Sequence, residues 1–158
     1  MRGRSKYTKR IIKPDEKYQS AQVSKFINYV MERGKKSVAE RIVYNSLEKA
    51  SEKLKKDPLE LFSDVINSVA PSVEVKSRRI GGANYQIPNE VKEPRRTALA
   101  MRWVIEAAKM RKGTPMADRL AQEYQDALSG SGSAIKKKTD THRMAEANRA
   151  FAHFARIK

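Results

Sequence analysis

The apolar positions follow a helical period along most of the chain and switch to a period of two in one place. Val23, Phe26, Ile27, Val30 and Met31 fall at i, i+3, i+4, i+7 and i+8 behind Ser20, a good N-cap, and Gly34 closes the segment. That spacing predicts a first helix with its stripe in the core. Ser37-x-x-Glu40 has the form of a capping box and predicts a second helix with Val38, Ile42, Leu47, Ala50 and Leu54 facing inward. Asp57-Pro58-x-Glu60 signals a third, carrying Phe62, Val65, Ile66 and Val69 and stopped by Pro71. Pro94 starts a fourth with Ala98, Met101, Ile105 and Ala108 inside and Trp103 and Val104 flanking; Gly113 ends it. Thr114-Pro115 opens a fifth, with Ala117, Leu120, Ala121, Tyr124 and Leu128 inside. After the short joint at 130–133, a last helix is expected over about 135–152, with Met144, Ala147 and Phe151 available for packing.

Between the third and fourth helices the period becomes two. Val73, Val75, Ser77 and Arg79 share one face and Glu74, Lys76, Arg78 and Ile80 the other, before Gly81-Gly82; Tyr85, Ile87, Asn89 and Val91 then alternate with Gln86, Pro88 and Glu90. Adjacent glycines accept the positive φ of a tight turn, so residues 73–91 read as a β-hairpin whose arms reach about 25 Å at roughly 3.3 Å per residue. The expected fold is mainly α: a single domain of six helices with this hairpin inserted, residues 19–158, behind a flexible basic arm, residues 1–18.

The hydrophobic fraction of 39% supports a core. The net charge of +16 changes the picture, because a surface that basic calls for a polyanion. It is unevenly placed. Residues 1–18 carry seven Lys/Arg against two acids, 73–102 seven against three, and 135–158 seven against two, together +14 of the total. Each segment interleaves rings with cations: Tyr7, Tyr85, and Phe151, His153 and Phe154. Structured RNA is recognised through phosphates, shape and stacking on unpaired bases, which such segments suit; duplex DNA calls for one base-reading helix, and none stands out.

Other chemistries find little support. The absence of cysteine excludes disulfides and thiolate metal sites, and His142 and His153 have no third ligand type near them in sequence. Gly81-Gly82 lacks the Gly-Lys-Ser/Thr of a phosphate-binding loop, and no nucleophile elbow is present. No apolar run approaches the roughly 18 residues that a membrane span needs. The expectation is a non-enzyme with no cofactor, no metal, no membrane and no small-molecule substrate, placed most simply in the cytoplasm.

Three collinear motifs carry a family resemblance: residues 75–88, VKSRRIGGANYQIP; Gly34-Lys35-Lys36 leading to Arg41-Ile42-Val43-Tyr44; and residues 143–154, RMAEANRAFAHF. With Leu99 to Trp103 and Lys136 to Lys138 in order, the chain resembles the small-subunit ribosomal protein seven family in its bacterial or organellar form, from about residue 10 to 154. The resemblance implies a primary binder of small-subunit ribosomal RNA that nucleates the subunit head, lies at the subunit interface beside the exit transfer RNA, and touches small-subunit proteins nine and eleven. It implies a cytoplasmic ribosome, or an organellar matrix for an organellar gene. Some bacterial members also repress their own message.

Carried onto this chain, the resemblance puts ribosomal RNA contacts on Arg2, Arg4, Lys6, Lys9 and Arg10 of the arm, on Lys35 and Lys36, and on Lys76, Arg78 and Arg79. It extends them to Arg95, Arg96, Arg102, Lys136, Lys137, Lys138, Arg143 and Arg149. The transfer-RNA side would hold Gly81, Gly82, Ala83, Asn84, Tyr85, Arg143 and Phe151. The arm before Lys13 is the least family-like part, and residues 155–158 run slightly past the family's usual end. The competing expectation is a general basic nucleic-acid-compacting protein, which would hold duplex DNA as tightly as structured RNA.

Overall fold

A computed structural model describes residues 11–156. Six α-helices and one hairpin follow in order: α1 Ala21–Val30, α2 Lys36–Leu54, α3 Pro58–Val69, β1 Val73–Ile80, β2 Ala83–Glu90, α4 Glu93–Met110, α5 Met116–Leu128 and α6 Gly132–Ala147. A 3-10 helix, Arg149–Arg156, completes the described chain. The insertion point and class of the hairpin are those expected.

α4 is the central element. Ala98 to Met101, Trp103 to Ile105, Ala107 and Ala108 are all buried, so the helix is covered nearly all round and α1, α3, α5 and α6 pack against it. Beyond its exposed first turn, Glu93 to Arg95, an exposed ridge runs along it through Arg102, Glu106 and Lys109, at i, i+4 and i+7, with Met110 after them. Phe26, Phe62 and Tyr124 meet at the core, with Phe26 and Phe62 edge-on at 5.3 Å. Tyr124 is fully buried, which pushes its phenol pKa up, and its hydroxyl lies 3.4 Å from Ser46 Oγ. Ser20 and Asp57 cap α1 and α3 as expected, with Asp57 accepting from the Leu59 and Glu60 amides.

Two helices differ from the expectation. α2 starts one residue before Ser37, after a turn in which Arg33 (φ 51°) and Gly34 (φ 74°) are left-handed, and no side chain caps it. The buried positions are Ala39, Val43, Ser46, Leu47 and Ala50, so the inner face is rotated; Val38 is 48% exposed and Ile42 and Leu54 lie on the flank. The small Ala39 and Ser46 let the neighbouring helices approach, which a reading by bulky residues overlooks. α6 starts earlier than expected and stops at Ala147. Asn148 ends it, its amide donating to the Met144 carbonyl at 3.1 Å, and the chain tightens into the 3-10 turns. Ala145 is the buried residue of this stretch; Met144 is 48% exposed and Ala147 is exposed.

α6 begins at Gly132, without a Ser131 side-chain cap, because α5 supplies one. Glu123, 0% exposed, accepts from the Ala134 amide at 3.0 Å and from Arg111 Nε at 3.0 Å and Nη2 at 2.6 Å. Arg111 also pairs with Asp126. One buried carboxylate thus ties the end of α4, the middle of α5 and the start of α6.

Candidate nucleic-acid interface

The expected arm contacts Arg2, Arg4, Lys6, Lys9 and Arg10 lie outside the described residues. Where the arm meets the domain the chain is fastened. Asp15 is buried, and its carboxylate accepts from the Tyr18 amide (2.7 Å), the Ser20 amide (2.9 Å) and the Tyr44 hydroxyl (3.3 Å). The root of the arm is therefore held on α2.

The hairpin turns on Gly81 (φ 56°) and Gly82 (φ 90°), the paired left-handed conformations of a two-residue loop that strands with right-handed twist favour. Ile80 pairs with Ala83, and Arg78 with Tyr85. Gly81, Gly82, Ala83 and Asn84 are exposed at the tip. The register puts Glu74, Lys76, Arg78, Tyr85 and Ile87 on one face. The C-terminal 3-10 helix lies against β2: Tyr85 stands 5.3 Å from Phe151 and 5.2 Å from Phe154, and Phe151 and Phe154 are nearly parallel at 6.3 Å. Arg78 donates to the Phe154 carbonyl at 3.5 Å. Ile87 is buried on that face. The hairpin is thus backed by the chain's own C-terminal segment.

At the hairpin's base a second fastening appears. Glu74 accepts from Lys76 at 3.0 Å and from Arg95 Nε and Nη2 at 3.3 and 3.2 Å. Its partial burial raises the carboxyl pKa, but the hydrogen bonds from Lys76 and Arg95 outweigh that and hold it below the usual value. Arg96 pairs with Glu93 at 2.9 Å. Two acids thus offset the cations at the N-terminus of α4, where the helix dipole opposes positive charge. On α6, His142 Nε2 accepts from the Ser72 amide at 3.2 Å, and partial burial together with the Lys138 charge pushes its pKa down.

The remaining cations differ sharply in their surroundings. Arg143 pairs with Asp140 at 3.0 Å and Arg149 with Glu146 at 3.3 Å, both exposed and on their own segment. Lys36 reaches Glu40 at 3.6 Å. Lys137 pairs with Glu106 and sits 6.0 Å over the Trp103 ring. Lys138 is half-buried and donates to the Ser68 carbonyl at 2.6 Å, so it caps the C-terminal end of α3; burial and the Arg96 charge lower its pKa. Lys136, beside it in sequence, is exposed. Arg102 lies 5.3 Å over the Tyr29 ring. Lys35, Arg79, Arg102 and Lys136 have no carboxylate partner among the described residues.

The structure thus brings together Lys76, Arg95 and Glu74, and separately Tyr85, Phe151, Phe154 and Arg78, while it sets Lys138 apart as a fastening between α3 and α6. Sequence reasoning missed Glu74, Glu123, Tyr29 and His142 as organising residues. Glu74 carried a readable signal, as an acid alternating with cations on the face of β1. Glu123 did not: it is an acid inside an ordinary apolar stripe.

Among the described residues no three His, Cys, Asp or Glu side chains gather to hold a metal, and no helix is long and apolar enough to cross a membrane. A family model described as "Ribosomal protein S7p/S5e" matches residues 2–149, carrying the likeness through the arm before Lys13. Among curated proteins, the chain is 58% identical over 149 residues to the "Small ribosomal subunit protein uS7" of Chloroflexus aggregans, covering 94% of this chain and 95% of that one. The protein of that name from Thermosipho africanus is 58% identical over 145 residues (92% and 94%), and the one from Thiobacillus denitrificans 57% identical over 154 (98% and 99%). With the match spanning nearly the whole chain, this protein belongs to the ribosomal protein S7p/S5e family.

Proposed function

We propose that this chain is a non-enzymatic structural component of the small ribosomal subunit, acting in translation as a primary binder of the ribosomal RNA of the subunit head. Residues 19–158 form the RNA-binding unit, with the hairpin at 73–91, and residues 1–18 a basic arm. The hairpin tip, with Gly81 to Tyr85, borders the exit transfer RNA together with Arg143 and Phe151, and the neighbours are small-subunit proteins nine and eleven. The observation that supports this reading is that four of the expected contact cations, Lys35, Arg79, Arg102 and Lys136, are exposed and have no carboxylate partner among the described residues; they are spread over the start of α2, β1, α4 and α6. A cation already paired must give up its partner to take a phosphate; these four need not. The hairpin–tail cluster of Tyr85, Phe151 and Phe154 adds ring surface beside Arg78, as stacking on unpaired bases requires.

The test is competition at 150 mM salt, in which labelled head-region RNA is challenged by equal masses of unrelated folded RNA and of duplex DNA. A preference of about a thousandfold for the head RNA is expected, within the range of specific sites. Equal displacement by all three would overturn the reading and favour a general nucleic-acid compactor.

A further inference from the structure

We propose that Tyr29 is a positioning residue: its ring holds the Arg102 guanidinium over the outer surface of α1 and α4, where it takes an RNA phosphate or stacks on an unpaired base. This rests on the RNA-binding reading above and deepens it. Tyr29 lies outside the buried stripe of α1, at Val23, Phe26, Ile27 and Val30; it packs against the edge of the core and is only half-buried, so part of its side chain is left to other contacts. Arg102 is one of three residues on the exposed ridge of α4. Its two ridge neighbours are neutralised, Glu106 by Lys137 of α6 and Lys109 by Glu32 at the end of α1. Arg102 alone of the three has no ion pair among the described residues, and its contact is the Tyr29 ring, 5.3 Å away.

The difference has a physical consequence. Arg95, Arg96, Arg143 and Arg149 are held in place by carboxylates, which fix the side chain but occupy its donors. A ring face fixes the guanidinium without consuming an N–H or cancelling its charge. Arg102 therefore keeps its full set of five donors and its charge while losing conformational freedom in advance, so less entropy is lost when it binds. The guanidinium carbon lies 5.3 Å over the Tyr29 ring, and the N–H donors it leaves unbonded are available to RNA, whose recognition commonly uses both phosphate contacts and stacking.

The test is a double-mutant cycle on the full chain with head-region RNA, using Tyr29→Leu, Tyr29→Phe, Arg102→Ala and Tyr29→Leu/Arg102→Ala, with thermal unfolding of each variant to confirm folding. Tyr29→Leu is expected to weaken binding about two- to fivefold, the scale of an exposed cation–ring contact. Tyr29→Phe, which keeps the ring, should bind as wild type. In the Arg102→Ala background, Tyr29→Leu should add no further loss. Equal losses with and without Arg102 would show that Tyr29 acts in the fold or touches RNA itself, and would overturn the positioning role; so would an unchanged affinity for Tyr29→Leu or Arg102→Ala. If wild type itself fails to prefer head RNA over unrelated RNA, the RNA-binding reading falls and takes the inference with it. If that preference holds and the cycle shows no coupling, the inference falls alone.

Discussion

Replacing Glu123 by Gln tests whether one buried carboxylate fixes the junction of α4, α5 and α6. The substitution keeps the shape and removes the charge, leaving Arg111 with Asp126 as its single acid partner. Breaking a fully buried pair costs about 3–5 kcal/mol, because the abandoned charge stays desolvated. Here the Arg111 side chain is 26% exposed and Asp126 36%, so solvent and the second acid recover part of that. About 2–3 kcal/mol remains. For a chain of this size each kcal/mol moves Tm by about 2–4 °C, so a fall of roughly 4–12 °C is expected by circular dichroism or calorimetry at pH 7. Asp126→Asn should cost less. Gly132→Ala should destabilise in the same way, since its φ is 91° and an added Cβ would stand 3.0 Å from both Glu123 Oε1 and Asp126 Cβ. A Tm for Glu123→Gln within 1 °C of wild type would refute the reasoning.

Three further outcomes follow from the same surroundings. Lys138→Ala should lower Tm through loss of the Ser68 cap, whereas Lys136→Ala should leave Tm unchanged and weaken RNA binding; identical behaviour of the two in thermal unfolding and filter binding would contradict their separation. Because the pKa of His142 is depressed in the fold, its contribution to stability is present above the ordinary histidine value of 6.5 and is lost as pH falls through the folded value. The Ser72 amide, read by hydrogen exchange corrected for its intrinsic rate, should lose protection below about pH 6.5 in wild type and not in His142→Asn; equal pH profiles would count against it. Replacing the hairpin tip, 78–85, by a shorter turn should leave the thermal unfolding of the helical core cooperative, while Phe151 and Phe154, deprived of Tyr85, become more exposed to fluorescence quenchers or proteases. Loss of the cooperative transition would show that the tip is part of the core.

The class, the helix count and the hairpin register were legible because each rests on local rules: the i, i+3, i+4 stripes of α1 and α3, the Asp57-Pro58 start, and the strict alternation on both sides of Gly81-Gly82. The phase of α2 was not, because its inner face is chosen by small residues that fit against α5 and not by its largest apolar ones. The start of α6 was hidden for a related reason: its cap comes from Glu123, nine residues before Gly132 and on another helix. The charge-bearing segments were visible as segments, yet their sorting into paired and unpaired cations depends on tertiary neighbours. Nothing in the run Lys136-Lys137-Lys138 distinguishes the exposed cation, the one over Trp103 and the half-buried one held against α3. Nor could the aromatic tail be seen to fold back on Tyr85, since that contact joins residues more than sixty apart.

In the proposed function, unneutralised cations on a fixed helical scaffold bind ribosomal RNA through its phosphates. The most direct measurement is the dependence of head-RNA affinity on salt, for wild type and for a variant in which Lys35, Arg79, Arg102 and Lys136 are all alanine. If about six to ten phosphates are neutralised, wild-type affinity should fall on the order of a thousandfold or more between 50 and 200 mM salt, and the variant's log–log slope should be shallower by about three to four. A wild-type affinity indifferent to salt, or a variant with the wild-type slope, would contradict it.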